Sequence, residues 1–399
     1  MPELIDSHAY LDTVLADGPL VPVSARAKTT LVFTVKRFVL QALLEKAITV
    51  VPTRDVMPTL KNVQITVRPG HLRMVASDME LSMITTTEMV DVTAAGTAVF
   101  PARKLLDIVR EADEDDCLIS VIGRAASISI NRTTWNLMLA GGADYPAMPE
   151  IHEITFHTVD RTDFTAALTA VRYAACRDAA RSSLMMVEVK DGRMTACDGS
   201  RFQQAVIRDL PCALHIPIGA VDDLLKLMKN MDATDIAIGE SDHHLVFRLG
   251  TDVLIVNKLL AQFPNMEAQL LRPALANSHP LTVERAELAK AVRRVRIAAD
   301  PETSAIALIL EPGAMTIAAR DKYRNEASEQ IPAHWSGSTR TLVVNHAFLS
   351  DMLTGHPGDT LNFILGDDTK TRKAPLMLRD DTVGTIGVVQ QMLGDWITE

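Results

Sequence analysis

The feature that most constrains this 399-residue chain is a short segment written three times. The fullest copy is Ala196-Cys197-Asp198-Gly199-Ser200-Arg201-Phe202. Weaker copies stand at Ala76-Ser77-Asp78-Met79-Glu80-Leu81 and at Ala319-Arg320-Asp321-Lys322-Tyr323-Arg324-Asn325. Each follows a short alternating stretch headed by a glycine: Gly70, Gly192 and Gly313. A strand, an Asp-centred kink and a second strand is the natural reading. The three aspartates lie about 120 residues apart, the length of a domain rather than of a solenoid repeat. The chain therefore reads as a domain present in three copies.

The boundaries follow from repetition. Residues 1–30 are polar, lack sustained periodicity and read as an N-terminal extension. Residues 31–150, 151–272 and 273–399 each run through one programme: strand, helix, strands around the kink, second helix, closing strands. Helical spacing of apolar residues predicts first helices over 36–49, 161–175 and 284–298. Second helices are predicted over 102–111, 218–230 and 346–353, the first opening just after Pro101. Two helices and about eight strands per copy, with hairpin-length connections, indicate an α+β fold of antiparallel sheets with helices on one face.

Several function classes are poorly supported. With 47% hydrophobic and 23% charged residues the chain has the composition of a globular protein with ample core. No apolar run suggests a membrane span, and no signal peptide is visible, so a cytoplasmic protein is expected. Cys117, Cys176, Cys197 and Cys212 lack CxxC spacing and read as reduced, packed thiols. There is no phosphate-binding GxxxxGK, no GxSxG and no HExxH. His243-His244 is a poor metal site, since neighbours on a strand face opposite ways. Asp198 and Asp321 could be imagined as catalytic carboxylates, but recurrence in every copy suits a structural role. The expectation is a non-catalytic protein with no cofactor and no metal.

Charge is distributed unevenly. The chain carries −10 overall. Its three first-helix segments are nevertheless basic. Lys36, Arg37, Lys46 and Arg54 against Glu45 leave +3; Arg161, Arg172, Arg177 and Arg181 against Asp163 and Asp178 leave +2; Arg285, Lys290, Arg293, Arg294 and Arg296 against Glu284 and Glu287 leave +3. Any one basic helix is ordinarily a solvated face. Coincidence in all three copies, on an acidic body, points instead to a surface that binds a polyanion.

With this order of elements in place, the chain resembles the β subunit of bacterial DNA polymerase III, the sliding-clamp family. The resemblance covers about residues 31–394. It rests on Phe100-Pro101-Ala102-Arg103-Lys104-Leu105-Leu106, Asp144-Tyr145-Pro146, Cys197-Asp198-Gly199-Ser200-Arg201-Phe202 and Phe263-Pro264, in that order and spacing. It implies a head-to-tail homodimer closing a ring of six like domains, with helices lining the lumen and sheets outside. It further implies non-specific contact with encircled duplex DNA, Arg54 being the best-matched position and Lys46, Arg103, Arg177, Lys290 and Arg293 further candidates. Trp135 and Leu137 of the first domain would pack against Ile297 and Ala298 of the other subunit's third. DNA polymerase and the clamp-loader ATPase would insert short peptides into a pocket formed by Leu184, Met186, Cys197, Gly199, Ser200, Arg201, Phe202, Pro264, Val388, Gln390 and Gln391. In that pocket Phe202 is expected to offer an aromatic anchor surface.

The C-terminus departs from the family pattern. Members commonly close with Met-Pro-Met-Arg-Leu; here Gln390 and Gln391 replace the first Met and Pro, residues 395–399 run past the motif, and Ala268 stands where arginine is common. A specialised clamp with altered partners, or an interaction scaffold that never encircles DNA, is the alternative reading.

Overall fold

The computed structural model describes residues 30–53, 57–112, 116–141, 145–149, 154–208, 210, 212–229, 231, 233–266, 270–271, 278–356, 358–368, 373–382 and 384–392. Arg54, Asp144, Ala268, residues 395–399 and all but the last residue of the expected extension lie outside these. The first repeat comprises β1 (Thr30–Lys36), α1 (Arg37–Ala47), β2 (Asn62–Arg68), β3 (His71–Ser77), β4 (Leu81–Thr87), β5 (Val90–Ala94), β6 (Gly96–Pro101), α2 (Ala102–Glu111), β7 (Asp116–Ile122), β8 (Ala125–Ile130) and β9 (Thr133–Met138). The second comprises β10 (Phe156–Asp160), α3 (Arg161–Arg172), β11 (Met186–Lys190), β12 (Arg193–Cys197), β13 (Arg201–Val206), β14 (Leu214–Pro217), α4 (Ile218–Lys229), β15 (Asp235–Glu240), β16 (His244–Leu249) and β17 (Asp252–Asn257). The third comprises β18 (His279–Glu284), α5 (Arg285–Val295), β19 (Ala305–Glu311), β20 (Ala314–Arg320), β21 (Glu326–Pro332), β22 (His334–Trp335), β23 (Arg340–Asn345), α6 (His346–Gly355), β24 (Thr360–Leu365), β25 (Leu376–Asp380) and β26 (Thr385–Val389).

The first helices stop short of the sequence expectation. Beyond α3 the amides of Ala174 and Ala175 bond three residues back, to Val171 and Arg172 (3.0 and 3.3 Å), so the chain tightens into a turn. Past α5, Arg296–Ala298 is likewise a 3₁₀ turn.

The kinks are built as expected, by one device. Asp78 Oδ1 accepts the amides of Glu80 and Leu81 (2.9 and 2.7 Å), and Asp198 Oδ1 those of Ser200 and Arg201 (2.9 and 3.0 Å). Asp321 Oδ1 accepts those of Tyr323 and Asn325 (2.8 and 2.9 Å), one residue further on. A short carboxylate bonding the backbone two and three residues ahead reverses the chain without a ladder partner. The turn requires left-handed backbone just after the aspartate: Gly199 takes φ +92°, and Met79 takes φ +80° in the same place. The third copy absorbs its extra residue at Arg324, φ +68°.

The chain packs as two compact units, Met1–Thr162 with Asp222–Lys258, and Asp163–Val221 with Leu259–Glu399. The division runs through the second repeat. In the first unit a five-stranded sheet has the order β5-β1-β7-β8-β9 and an eight-stranded sheet the order β10-β15-β16-β17-β4-β3-β2-β6. In the second, a nine-stranded sheet runs β14-β11-β12-β13-β26-β25-β24-β18-β22 and a four-stranded sheet β21-β20-β19-β23. Every residue-by-residue strand pairing in the described residues is antiparallel. Helices cover one face of these sheets. Leu288, Ala291, Val292 and Val295 of α5 and Leu349, Met352 and Leu353 of α6 share a core with Ile306, Leu308, Ile317 and Leu342 of the strands beneath. That leaves the opposite helix faces to the charged residues. Cys117, Cys176 and Cys197 are buried, and all four cysteines are free thiols.

Candidate nucleic-acid and partner interfaces

The middle kink leads directly to a cavity. Cys197 of β12 stands opposite Phe202 of β13, Phe202 opposite Val388 of β26, and Val388 opposite Met377 of β25. This cross-strand row lies on one face of the nine-stranded sheet. Phe263, Leu270 and Leu271 pack on it and close part of it over. What stays open is a cavity of ≈ 490 Å³ lined by Leu184, Cys197, Gly199, Arg201, Pro264, Met266, Leu270, Val388 and Gln390. Its volume and apolar lining suit one or two large side chains of a peptide.

Seven of the eleven expected pocket residues meet here. Phe202 corrects the expectation: at 1% exposure it is covered floor rather than an anchor surface, and Met186 at 0% lies in the same apolar layer. Ser200 does not line the cavity either; its carbonyl accepts the Gln390 amide at 2.9 Å and so fixes the far wall. Gln391 is turned away, its side-chain amide donating to the Ala374 carbonyl. Sequence reasoning missed Met266 and Leu270. The apolar positions just after Phe263-Pro264 were the available signal.

Arg201 is held rather than loose. Its Nε donates to Asp198 Oδ2 at 2.9 Å, and a terminal nitrogen donates to Asp351 Oδ2 at 2.5 Å. The guanidinium lies 4.5 Å from the Phe348 ring centroid and 5.5 Å from that of Tyr173. Tyr173 donates its hydroxyl to Gln203 Oε1 at 2.6 Å, and burial pushes that phenol well above its ordinary range. A cation fixed by two carboxylates and two rings supplies a rigid, amphipathic wall. Burial also pushes the Cys197 thiol up to about 11, so at neutral pH it is an uncharged surface and a poor nucleophile.

A second concavity lies between α5 and α6, lined by Arg285, Ala289, Lys290, Arg293 and Arg296 with Ser350, Leu353 and Thr354. Arg285, Ala289, Arg293 and Arg296 recur at helical spacing and so form one stripe. Arg285 is tied at one end, donating from Nε to the Gly358 carbonyl at 2.7 Å, and Lys290 stands 3.6 Å from Glu287. Lys290 and Arg293 are exposed. Four cations and two hydroxyls with no carboxylate in the lining make a surface for phosphate oxygens.

The other candidate cations differ in availability. Lys46 is half-buried and ion-paired at 2.8 Å with Asp252, whose carboxylate is 5% exposed. Its charge is committed inside the fold, which weakens it as a phosphate ligand. Arg103 is exposed on α2 and reaches the Val51 carbonyl at 3.4 Å; Arg177 is exposed just past α3. Trp135 and Leu137 lie half-buried on β9, the edge of the five-stranded sheet. Ile297, 85% exposed, and half-buried Ala298 lie in the 3₁₀ turn after α5. Among the described residues no group of three or more His, Cys, Asp or Glu side chains could hold a metal ion, and no helix is long and apolar enough to cross a membrane.

Comparison with known proteins agrees with this geometry. Residues 31–149 match the DNA polymerase III beta subunit N-terminal domain, and residues 273–381 match its C-terminal domain. The beta sliding clamp of Pseudomonas aeruginosa is 25% identical over 356 residues, covering 85% of this chain and 94% of that protein. That of Caulobacter vibrioides is 24% identical over 350 residues, covering 84% and 93%. Among solved structures, the sliding clamp of Bartonella birtlesii bound to griselimycin superposes with a TM-score of 0.84 at 25% identity, covering 92% of this chain and all of that one. The Caulobacter crescentus clamp gives the same TM-score at 22% identity and the same coverage. Thrice-repeated kinks, antiparallel sheets under basic helices and these matches at both ends place the chain in the DNA polymerase III beta subunit family, the bacterial DNA sliding clamps.

Proposed function

We propose that this protein is a homodimeric ring of three clamp domains per subunit that encircles duplex DNA and holds a DNA polymerase on it without catalysing a reaction itself. One pattern of strand pairing carries the reading. The strand that leaves the first kink, β4, pairs with β17, the last strand of the second repeat. The strand that leaves the second kink, β13, pairs with β26, the last strand of the third. By the same rule β21, leaving the third kink, calls for the last strand of a first repeat, which is β9. Both β21 and β9 are instead sheet edges. A second copy supplies each with its partner, and two such contacts close a ring. Trp135 and Leu137 on β9, and Ile297 and Ala298 beside β21, are the side chains that would meet there.

Inside such a ring, Lys290, Arg293 and their neighbours would attract phosphates without reading bases, as a protein that must slide requires. The cavity at Gly199 would take peptides from the polymerase and the clamp-loader ATPase, and the protein would act in the cytoplasm. The test is to load it with its clamp-loader ATPase onto nicked circular DNA and then linearise the DNA. Release on linearisation is expected, because a ring runs off free ends. Equal retention on linear and circular DNA would contradict encirclement and favour a scaffold.

The polar far wall at Gln390 favours a second, narrower reading: a specialised clamp whose partners differ from those of a main replicative one. Comparative binding of peptides from each polymerase of the source cell decides between them.

A further inference from the structure

Arg201 is the one charged residue that lines the cavity on the nine-stranded sheet, and its charge is already spoken for. Asp198 Oδ2 takes its Nε at 2.9 Å, and Asp351 Oδ2 takes Nη1 at 2.5 Å. Asp198 is spent inside the kink, since its other oxygen accepts the amides of Ser200 and Arg201. Asp351 reaches in from α6 of the third repeat, and its carboxylate stays 48% exposed. A second arginine stands at the same rim. Arg181 donates from Nη1 to the Asp198 carbonyl at 2.7 Å, that nitrogen lies 3.2 Å from where a Cβ on Gly199 would be, and its Nε is 3.9 Å from Asp178. Two guanidinium groups are thus set against three carboxylates, Asp178, Asp198 and Asp351, which leaves −1 beside an otherwise uncharged lining.

We infer that Asp351 determines the specificity of this cavity: it neutralises Arg201, so that the site takes peptides whose apolar anchors are flanked by uncharged or basic residues and turns acidic ones away. The inference rests on the reading of this cavity as a peptide site. An arginine in a binding site ordinarily attracts a carboxylate, because its donors match the two oxygens. Here a peptide carboxylate arriving at Arg201 finds Nε and one terminal nitrogen already bonded to aspartates, and it must lie beside Asp351. Repulsion between like charges at a partly desolvated rim is how an interface rejects a wrong partner, and apolar contact then decides what stays. The exposure of Asp351 separates this role from a structural one. A half-exposed ion pair contributes little to stability, so the charge can be removed while the fold remains.

The experiment uses three fluorescent peptides, Gly-Xaa-Leu-Phe-Xaa-Gly with Xaa serine, glutamate or lysine, titrated into the full chain and into full chains carrying Asp351→Asn or Asp351→Glu. The native chain should bind the serine and lysine peptides about fivefold more tightly than the glutamate peptide, and added salt should shrink that preference. Asp351→Asn keeps an oxygen on Arg201 and removes the charge, so it should erase the preference at an unchanged melting temperature. Asp351→Glu should restore it. A preference that survives Asp351→Asn would overturn the inference, as would tighter binding of the glutamate peptide by the native chain. Equal weakening of all three peptides by Asp351→Asn would also overturn it, since Asp351 would then only shore up the wall. Leu184→Arg is the control for the site, and it should abolish binding of every peptide with an unchanged melting temperature. If the native chain binds none of the three, or if binding survives Leu184→Arg, the reading of the cavity as a peptide site falls and the role of Asp351 falls with it. A preference unmoved by Asp351→Asn, with binding lost on Leu184→Arg, removes the role of Asp351 alone.

Discussion

Asp198→Ala tests whether the kink is the structural centre that its repetition implies. The carboxylate accepts two turn amides at 2.9 and 3.0 Å and the Arg201 Nε at 2.9 Å, and both side chains are only 16% exposed. A bond to a charged acceptor contributes about 1.5–3 kcal/mol, but the three are not additive, and the turn amides can regain water beside exposed Gly199. A loss of about 3 kcal/mol follows, or a fall of about 6–12 °C in melting temperature for a unit near 200 residues. Asp198→Asn keeps the Oδ1 acceptor and loses the ion pair, and should cost about 1 kcal/mol. Asp78 is the internal control. Among the described residues its carboxylate accepts the two turn amides and no guanidinium, so Asp78→Ala should cost less. Calorimetric scans of the three variants read these differences, with the transitions of the two units fitted separately because one two-state fit need not hold. Released Arg201 would also loosen the cavity wall, so peptide affinity should fall together with stability. Equal destabilisation by Asp78→Ala and Asp198→Ala would refute the argument, since it would mean that the half-buried Arg201 contributes nothing.

Met79→Gly should stabilise the first unit by about 0.5–1 kcal/mol, because relief of roughly 1–2 kcal/mol of left-handed strain outweighs the entropy that glycine brings to the unfolded chain; a lower melting temperature would contradict this. Lys290→Glu with Arg293→Glu should weaken DNA association and shallow its dependence on salt by about two phosphate contacts, leaving the mass in solution unchanged. Gln390→Met should tighten a polymerase-derived peptide severalfold by calorimetry, whereas adding Gln391→Pro should give no further gain, because Gln391 is bonded to the Ala374 carbonyl outside the cavity. Trp135→Ala with Leu137→Ala should shift the light-scattering mass from dimer to monomer, and a native protein that is monomeric at micromolar concentration would sink the ring.

The local features of this chain were legible from its residues. An aspartate that follows a short alternating stretch headed by a glycine marks its own turn, because its oxygen bonds amides two to four positions ahead, and helical spacing marks the helices to within a few residues. What escaped was decided by partners far along the chain. Lys46 reads as a free lumen cation until Asp252 of β17 is placed against it. Phe202 reads as an exposed anchor until Phe263, Leu270 and Leu271 fold over its strand. Met266 and Leu270 line the cavity from a segment whose apolar residues carry no period to announce a role. Arg201 was found, but Asp351, which holds its other side, comes from the third repeat.

The repeat boundaries of the sequence and the packing units of the fold disagree for a reason that also explains why the kink was worth writing three times. Each kink delivers a strand to the edge of its own repeat, and that strand is the one used to join the next. β4 meets β17 through Leu81, Ser82, Met83 and Ile84, and β13 meets β26 through Arg201, Phe202, Gln203 and Gln204. The large sheet of each unit is thereby continuous across two repeats, and the second repeat is shared between them. A strand register that slips by one residue would turn every side chain to the wrong face, so the joining strand needs a fixed origin. The aspartate supplies it, closing from the Asp78 amide to the Leu81 carbonyl and from the Asp198 amide to the Arg201 carbonyl, three residues on in each case. The third kink closes one residue later, from the Asp321 amide to the Asn325 carbonyl, and takes up the extra residue in the left-handed turn at Arg324. The one kink that differs is the one whose strand, β21, ends its sheet unpaired. The joint made within the chain is copied from the first kink to the second, and the device is altered only where its strand stands at a sheet edge.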